Sequence, residues 1–409
     1  MILRLLFLFI ILFIIELYAF QAIKTVFKMH SFLLVYKIIS FLLILTLFFL
    51  FSSFDRKVGQ TPISMFTIGL FLLIYVPKIL VTIVLFGEDI FRLFASVINF
   101  FVNNNNEISH FPDRRKFVSQ VGLGLAAVPF LSLIYGMTLG KFNFKVIRQP
   151  IYFADLPDAF DGFTITQISD VHSGSFDNPA KIQHAIDLIN QQNSDLILFT
   201  GDIVNTHAHE MEKWISVFNT IQSHKYGKFA VLGNHDYGEY VSWDTPEAKA
   251  ENFEAIKNLY GKIGFNLLLN EHQFIEKDNQ KLAIVGVENW GQNFKKAGDI
   301  NLASTNLTKN DFKILMSHDP SHWEYEIKNH PKHFQLTLSG HTHGMQFGIE
   351  IPGFFKWSPV QYVYKQWAGL YENLDRSIYV NRGFGFHAYP GRVGIMPEIT
   401  QIILKKKIV

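Results

Sequence analysis

Leu336–Phe347 reads LTLSGHTHGMQF, with His341 and His343 one residue apart between Gly340 and Gly344 at the end of an apolar run. Solvated surface histidines would need neither the flanking glycines nor the strand-like LTLS before them. The run reads as a short buried strand that delivers two imidazoles into a tight turn. The same arrangement recurs upstream. Phe163–Ser169 stops at Asp170, with His172 beyond it; Leu196–Thr200 ends at Gly201-Asp202. Phe229–Leu232 ends at Gly233-Asn234-His235-Asp236, and Phe312–Met316 runs into His318. Leu282–Val287 is a further strand. Helices fall between: one from the Asn178 cap and Pro179 to about Gln192, another over about Glu210–Gln222. Strands alternate with helices and then dominate, which predicts an α/β fold. Open α/β sheets place their sites beyond the carboxyl ends of the strands.

Carboxylates, imidazoles and one amide form the donor set of first-row divalent cations. With His235 set aside, seven donors without a shared carboxylate would make one crowded site or two unrelated ones. With Asp202 bridging they divide into two sites of four, and ions about 3.5–4 Å apart clamp phosphoryl oxygens. Glycines before Asp202, Asn234 and His341 let the chain turn sharply off each strand and aim a ligand inward without a clash at Cβ. The 409 residues include no cysteine, which excludes disulfides, thiolate ligands and a cysteine nucleophile. A net charge of +2 argues against an extended nucleic-acid surface, and no nucleic-acid partner is expected.

Asp170-Val171-His172, Gly201-Asp202-Ile203-Val204-Asn205, Gly233-Asn234-His235-Asp236, Ser317-His318 and Gly340-His341-Thr342-His343 resemble, in order, the five blocks of the calcineurin-like metallophosphoesterases. The resemblance runs from about Asp170 to Glu398. Its end, Tyr379–Gly385 with Pro397-Glu398-Ile399, is similar to the bacterial membrane-associated phosphodiesterase branch, related to the UDP-2,3-diacylglucosamine hydrolases of lipid A synthesis. One such block arises easily by chance; five in order at strand ends are specific. The resemblance implies a four-layer αββα sandwich over residues 149–409 and two divalent ions, with Mn, Fe, Zn or Co equally suited to the donors. It implies one ion on Asp170, His172, Asp202 and His343, and the other on Asp202, Asn234, His318 and His341. His235 would meet the substrate phosphate and protonate the leaving oxygen, with Asp236 orienting its imidazole. Asn205 stands where many relatives carry a carboxylate, at a position not expected to ligate. The expected reaction is in-line attack on phosphorus by a hydroxide between the metals. Arg382 and His387 are weaker candidates for contact with the substrate, Arg382 having an ordinary ion pair as its alternative.

Residues 1–148 read as a membrane anchor. Ile2–Phe20, Ser31–Phe54, Ile63–Phe86 and roughly Val121–Leu139 are apolar runs of about the 20 residues that cross a bilayer, giving a bundle of about four transmembrane helices. The first run is alternatively a signal peptide, although no clean cleavage site follows it. Lys78 after Pro77 lies deep and must reach an interface or a partner. Ile90–Val102 looks like a separate interfacial helix ending at the Asn103–Asn106 tract. Short-loop lysines and arginines tie between the two orientations. Asp113-Arg114-Arg115-Lys116-Phe117, similar to a twin-arginine export signal, breaks the tie. The expectation is a bacterial inner-membrane protein with an extracytoplasmic catalytic domain.

The aromatic Phe354–Trp367 stretch reads either as core plus edge strand or as a bilayer-facing patch, with Lys356 and Lys365 meeting anionic headgroups. The patch and the anchor together favour a lipid-linked phosphoester. His322, His330 and His333 read as solvated. A pyrophosphate-bond hydrolase of the UDP-diacylglucosamine type, which needs a cytoplasmic site, and a non-catalytic membrane metal sensor are the competing functions. Manganese is one named choice of ion. The oligomeric state does not follow from the sequence.

Overall fold

A computed structural model describes residues 2–102, 112–351 and 353–407. It forms two compact units, Met1–Phe54 with Phe66–Tyr135, and Asp55–Met65 with Gly136–Val409. The Asn103–Asn106 tract lies outside the described residues.

The first unit is helical: α1 (Ile2–Val26), α2 (His30–Ser52), α3 (Pro62–Val102) and α4 (Pro112–Thr138). His30–Ser52, Pro62–Ile98 and Asp113–Thr138 are each long and apolar enough to cross a membrane. Ile90–Val102 is not a separate interfacial helix. It continues α3, which runs unbroken through Pro77 for 41 residues. The deep Lys78 has its partner in Glu16 of α1, a carboxylate the apolar run had hidden, and it also approaches Ser40 of α2 at 3.4 Å. An isolated charge at the centre of a bilayer helix costs about 3 kcal/mol or more, so pairing makes both residues tolerable there. Arg115 binds Glu88 and Asp89 of α3, which gives one arginine of the doublet a structural task.

The second unit holds, in chain order, β1 (Lys145–Phe153), β2 (Thr164–Ile168), α5 (Pro179–Asn190), β3 (Leu196–Phe199), α6 (Ile215–Phe218), β4 (Lys228–Ala230), α7 (Pro246–Lys262) and β5 (Asn266–Leu267). Next come β6 (Glu271–Lys277), β7 (Gln280–Gly286), α8 (Ile300–Ala303), β8 (Lys313–Met316), α9 (Ser321–Tyr325) and β9 (Leu336–Ser339). The hairpin β10 (Ile349–Ile351) and β11 (Phe355–Trp357) precedes β12 (Gly369–Asn373), β13 (Arg376–Val380) and β14 (Glu398–Lys406). The division expected at residue 148 falls inside β1. The helix expected over Glu210–Gln222 is instead a 3₁₀ turn, Ala208–Trp214, running into the one-turn α6.

Two six-stranded mixed sheets result, ordered β1-β14-β2-β3-β4-β5 and β12-β13-β9-β8-β7-β6. Their central strands are parallel and buried on both faces, so LILF reads as an unbroken apolar run, while LTLS is buried throughout although its residues alternate. Ile165, Leu196 and Leu198 face Ile284, Ile314, Met316, Leu336 and Leu338 between the sheets. Ile197 and Phe199, one residue out of phase, turn to the outer helices. There α5 presents Ile182, Ala185, Ile186 and Ile189, the i, i+3, i+4, i+7 stripe of a helix packed on one side. Val285, Leu315 and Ile378 meet Ile300 and Trp323 on the far side. Helix, sheet, sheet, helix is the four-layer order the resemblance implied.

Candidate metal centre

The carboxyl ends of β2, β3 and β4 in one sheet and of β8 and β9 in the other converge on one buried pocket. Cross-sheet hydrogen bonds fix that meeting. Gln167 Nε2 donates to the Ser339 carbonyl at 2.9 Å, His318 Nδ1 donates to the Thr200 carbonyl at 2.6 Å, and the His341 amide donates to both Asp170 carboxylate oxygens at 3.0 Å.

The residues that leave the strands are held in strained backbone. Asp170, His172, Asp202, His341 and His343 have φ of 54°, 48°, 62°, 72° and 50°. Side chains seldom adopt that left-handed region, at roughly 1–3 kcal/mol each, and such positions gather at functional sites. The glycines serve in two ways, one by its backbone turn and two by leaving room where a Cβ would clash. Gly201 does take a positive φ of 96°, but Gly340 and Gly233 are there for space. A Cβ on Gly340 would lie 1.9 Å from Ser169 Oγ, and one on Gly233 would lie 2.1 Å from Asp202 Oδ1. Five of the seven ligand-type residues take the left-handed turn themselves.

All seven proposed ligands come together. His343 Nε2 lies 3.2 Å from Asp170 Oδ1 and 3.0 Å from His172 Nε2. Asp202 Oδ2 lies 3.1 Å from His318 Nε2 and 3.6 Å from His172 Nε2, between the two groups. Asn234 Oδ1 meets His318 Nε2 at 3.1 Å and His341 Nδ1 at 2.7 Å. Potential ligand atoms of Asp170, His172 and His343 lie within 4.8 Å of one another, as do those of Asp170, Asp202 and His318.

Burial and charge act in opposition here. Burial pushes Asp170 and Asp202 up, but the imidazoles of His343 and His318 hold Asp170 below the usual carboxylate range, and those of His318 and His235 do the same for Asp202. Burial works against protonation of His318, yet Asp202 and Asp170 overcome it and raise His318 to about 10. His172, His235 and His341 are all pushed down by burial, which keeps lone pairs on their rings. Two imidazole nitrogens 3.0 Å apart, a buried His172 Nδ1 without a hydrogen-bond partner, and an amide oxygen shared by two rings fit divalent ions better than a self-contained polar core.

One expectation needs correction, and the two readings of Arg382 separate. Asp236 does not orient the His235 ring. Its carboxylate accepts from the amides of Asp202, Ile203 and Gly233 and from the Tyr260 hydroxyl, bracing the loops that carry Asp202 and Asn234. Burial and the Asp202 charge raise it to about 7. The His235 ring is set by Asn205, whose backbone carbonyl accepts from Nδ1 at 2.7 Å, and by Tyr240, stacked on it at 4.2 Å. Arg382 forms the ion pair that the sequence offered ahead of a phosphate contact. The residue is 6% exposed, and its guanidinium is bound by Glu398 and Glu350. His387, by contrast, stacks on His172 at 5.1 Å and meets His235 edge-on at 4.5 Å.

The sequence reading missed other residues at this pocket. Tyr364 brings its hydroxyl to 2.8 Å from His341 Nε2. Asp319 is buried, with Oδ2 3.6 Å from the same nitrogen. Arg392, fully buried and pushed down to about 9 by that burial, donates to the carbonyls of Arg382, Gly383 and Gly385 and approaches His343 Nδ1 at 3.2 Å. Adjacency to His318 could have flagged Asp319; nothing local marks Arg392. His322 and His330 are buried rather than solvated, His322 against Trp290 at 4.8 Å and His330 against Phe334 at 5.3 Å.

Comparison with known proteins agrees with this geometry. Residues 163–345 match the family model for calcineurin-like phosphoesterase, and residues 2–141 match the one for the transmembrane domain of such phosphoesterases. The uncharacterized metallophosphoesterase YkuE of Bacillus subtilis is 32% identical over 255 residues, 61% of this chain and 82% of its own length. Phosphodiesterase YaeI of Escherichia coli is 29% identical over 300 residues, 71% and 98% of the respective chains. The UDP-2,3-diacylglucosamine pyrophosphatase LpxG of Chlamydia muridarum is 27% identical over 308 residues, 64% and 89%. The chain therefore belongs to the calcineurin-like phosphoesterases, hydrolases of phosphoester bonds, and carries a transmembrane domain ahead of the catalytic one.

Proposed function

We propose that the chain is a membrane-anchored dinuclear phosphoesterase acting on a phosphodiester or phosphomonoester, with lipid-linked esters in its substrate class. Asp170, His172, Asp202 and His343 would hold one ion, and Asp202, Asn234, His318 and His341 the other. Mn, Fe, Zn and Co all suit these donors. The observation that carries the reading is Asp202 Oδ2, lying between His172 and His318. When bound, two such ions neutralise phosphoryl charge and make water a nucleophile near neutral pH.

The chain's own residues do the rest. His235 donates Nδ1–H to the Asn205 carbonyl, which leaves Nε2 to pass a proton to the departing oxygen. Burial disfavours the doubly protonated ring, and an anionic phosphoester beside it restores that form. Tyr240 holds the ring's tilt, and Asp236 keeps the backbone under Asp202 and Asn234 in place.

The lipid-linked reading is supported by Phe354, Tyr362 and Val363, which are 85%, 78% and 66% exposed in the segment that also brings Tyr364 to His341. The two readings of that segment divide it: Trp367 is buried core, while Phe354, Tyr362 and Val363 are bare. Its lysines are engaged elsewhere, Lys356 with the Ala368 carbonyl and Tyr371, and Lys365 with Glu324. A bilayer contact at Phe354, Tyr362 and Val363 is therefore mainly apolar, with the 77% exposed Lys365 as its one available cation in this segment. The similarity to a pyrophosphatase of UDP-2,3-diacylglucosamine supports a second reading, cleavage of a pyrophosphate bond.

Elemental analysis with a hydrolysis panel tests both. Bis-p-nitrophenyl phosphate, p-nitrophenyl phosphate, a phospholipid and a nucleoside diphosphate-linked lipid are offered to protein loaded with each metal. Two ions per chain and ester turnover are expected. Turnover of the nucleotide-linked lipid alone favours the second reading, and one ion or none overturns both. A reporter fused after Val409 tests the side of the bacterial inner membrane, for which we propose an extracytoplasmic domain.

A further inference from the structure

The connector Asp55–Met65 joins α2 to α3, yet it packs as part of the catalytic unit. Met65 is 5% exposed in that unit's core, among residues such as Phe176 and Val204. Lys57 pairs with Asp244, and the Ser242 amide donates to the Arg56 carbonyl at 3.0 Å. Gly59, at φ 75°, turns the chain just before Gln60. The connector is thus anchored on both sides of one side chain.

That side chain reaches the metal centre. Gln60 Oε1 accepts from the Ala388 amide at 2.7 Å and faces His387 Nδ1 at 2.7 Å, while Gln60 Nε2 donates to Ser175 Oγ at 2.8 Å. The Ala388 N–H can only donate, so the atom facing it is the carbonyl oxygen of the amide. It follows that His387 must carry a proton on Nδ1, and when neutral it keeps its lone pair on Nε2. The His387 ring lies against His172 and His235. The other arm runs from Ser175 to the Asn205 side chain, at 3.1 Å from Nδ2 and 3.3 Å from Oδ1. The Asn205 carbonyl in turn holds His235 Nδ1.

We infer that Gln60 is a positioning residue of the catalytic site, supplied by the connector between two apolar helices. It fixes the tautomer and tilt of His387 directly, and it steadies His235 through Ser175 and Asn205. The catalytic unit therefore depends on a segment that any polypeptide starting after α4 would lack. The inference rests on the reading of His235 as proton donor.

The test uses the full chain, comparing wild type with Gln60→Leu, Gln60→Glu and Ser175→Ala. Gln60→Leu removes both arms, whereas Gln60→Glu keeps acceptors for His387 and Ala388 and lets the Ser175 hydroxyl rotate to donate. Small misplacements of catalytic groups cost about tenfold to a hundredfold. The expectation is a loss of that size in kcat for Gln60→Leu, with KM within about twofold and ion content unchanged. Gln60→Glu should restore most of kcat, and Ser175→Ala, which cuts only the longer arm, should fall between. Unchanged kcat in Gln60→Leu overturns the inference, as does equal loss in both Gln60 variants accompanied by lost ions. If wild type hydrolyses no phosphoester, the functional reading fails on its own. Amide exchange over residues 383–392 then decides the contact: faster exchange at Ala388 in Gln60→Leu but not in Gln60→Glu supports it, and no change sinks it.

Discussion

Two buried charge clusters lie side by side in the catalytic unit and are built on opposite principles. Around Arg382 a guanidinium meets two carboxylates, Glu398 and Glu350, and the Tyr379 hydroxyl donates to Glu398 at 2.6 Å. Every charge there has a counter-charge within the chain. One loop away, where a Cβ on Gly383 would lie 3.0 Å from Asp170 Cβ, two carboxylates share the one His318 cation, the His172 and His343 nitrogens face each other, and one amide oxygen serves two rings. The second cluster also sits on left-handed backbone, which Arg382, Glu350 and Glu398 do not. A buried cluster whose charges all find opposite partners within the chain is architecture. One left incomplete, and held in strain, is a cradle for something else.

Substitutions can break this contrast. The largest effect belongs to Asp202→Asn, which removes the shared oxygen charge: turnover should fall to background and elemental analysis should find fewer than two ions. An Asp202→Asn chain with both ions and normal turnover would remove the central argument. Next is His235→Ala, expected to lower kcat by roughly 10²–10⁴-fold, the usual worth of a positioned proton donor, with ion content unchanged.

Arg382→Met probes the complete cluster. Stranding the buried Glu398, with the half-buried Glu350 beside it, should cost about 3–5 kcal/mol in denaturant unfolding, while turnover per folded, loaded molecule stays near wild type. A large rise in KM without loss of stability would instead return Arg382 to the substrate.

The smallest effect concerns pH. In metal-free protein His318 is raised from 6.5 to about 10, so its stabilising contribution is fully present below pH 6.5 and is lost as pH rises through 10. Chelator-stripped protein should therefore melt progressively lower between pH 6.5 and 10, and loaded protein, in which ions replace that proton, should not. Parallel melting curves for the two forms would count against His318 as the internal cation.

The strand ends were legible because a short apolar run followed by Asp, His or Asn is a local pattern. The α5 start at Asn178-Pro179 was legible for the same reason, and Asn178 does cap it, accepting from the Lys181 amide at 3.1 Å. Other elements escaped. β1 (KVIRQPIYF) carries two charges and a proline, and it becomes a strand only by pairing with β14, some 250 residues later. The α7 helix was overlooked although Thr245-Pro246 marks its start, because its residues are mostly polar and its core contacts are few. The role of Asp236 was misjudged for a clearer reason. Its partners are amides of Asp202 and Ile203, more than thirty residues upstream, brought near only when β3 and β4 pair.

By itself the sequence determined which chemical groups stand at the strand ends and which helices are apolar for a bilayer's thickness, since both are properties of contiguous residues. Only the tertiary structure decided which charges cancel one another, which imidazole each carbonyl holds, and that Gln60, from between two apolar helices, reaches His387. Coulomb attraction and hydrogen bonding act over a few ångströms of space, whatever the separation along the chain.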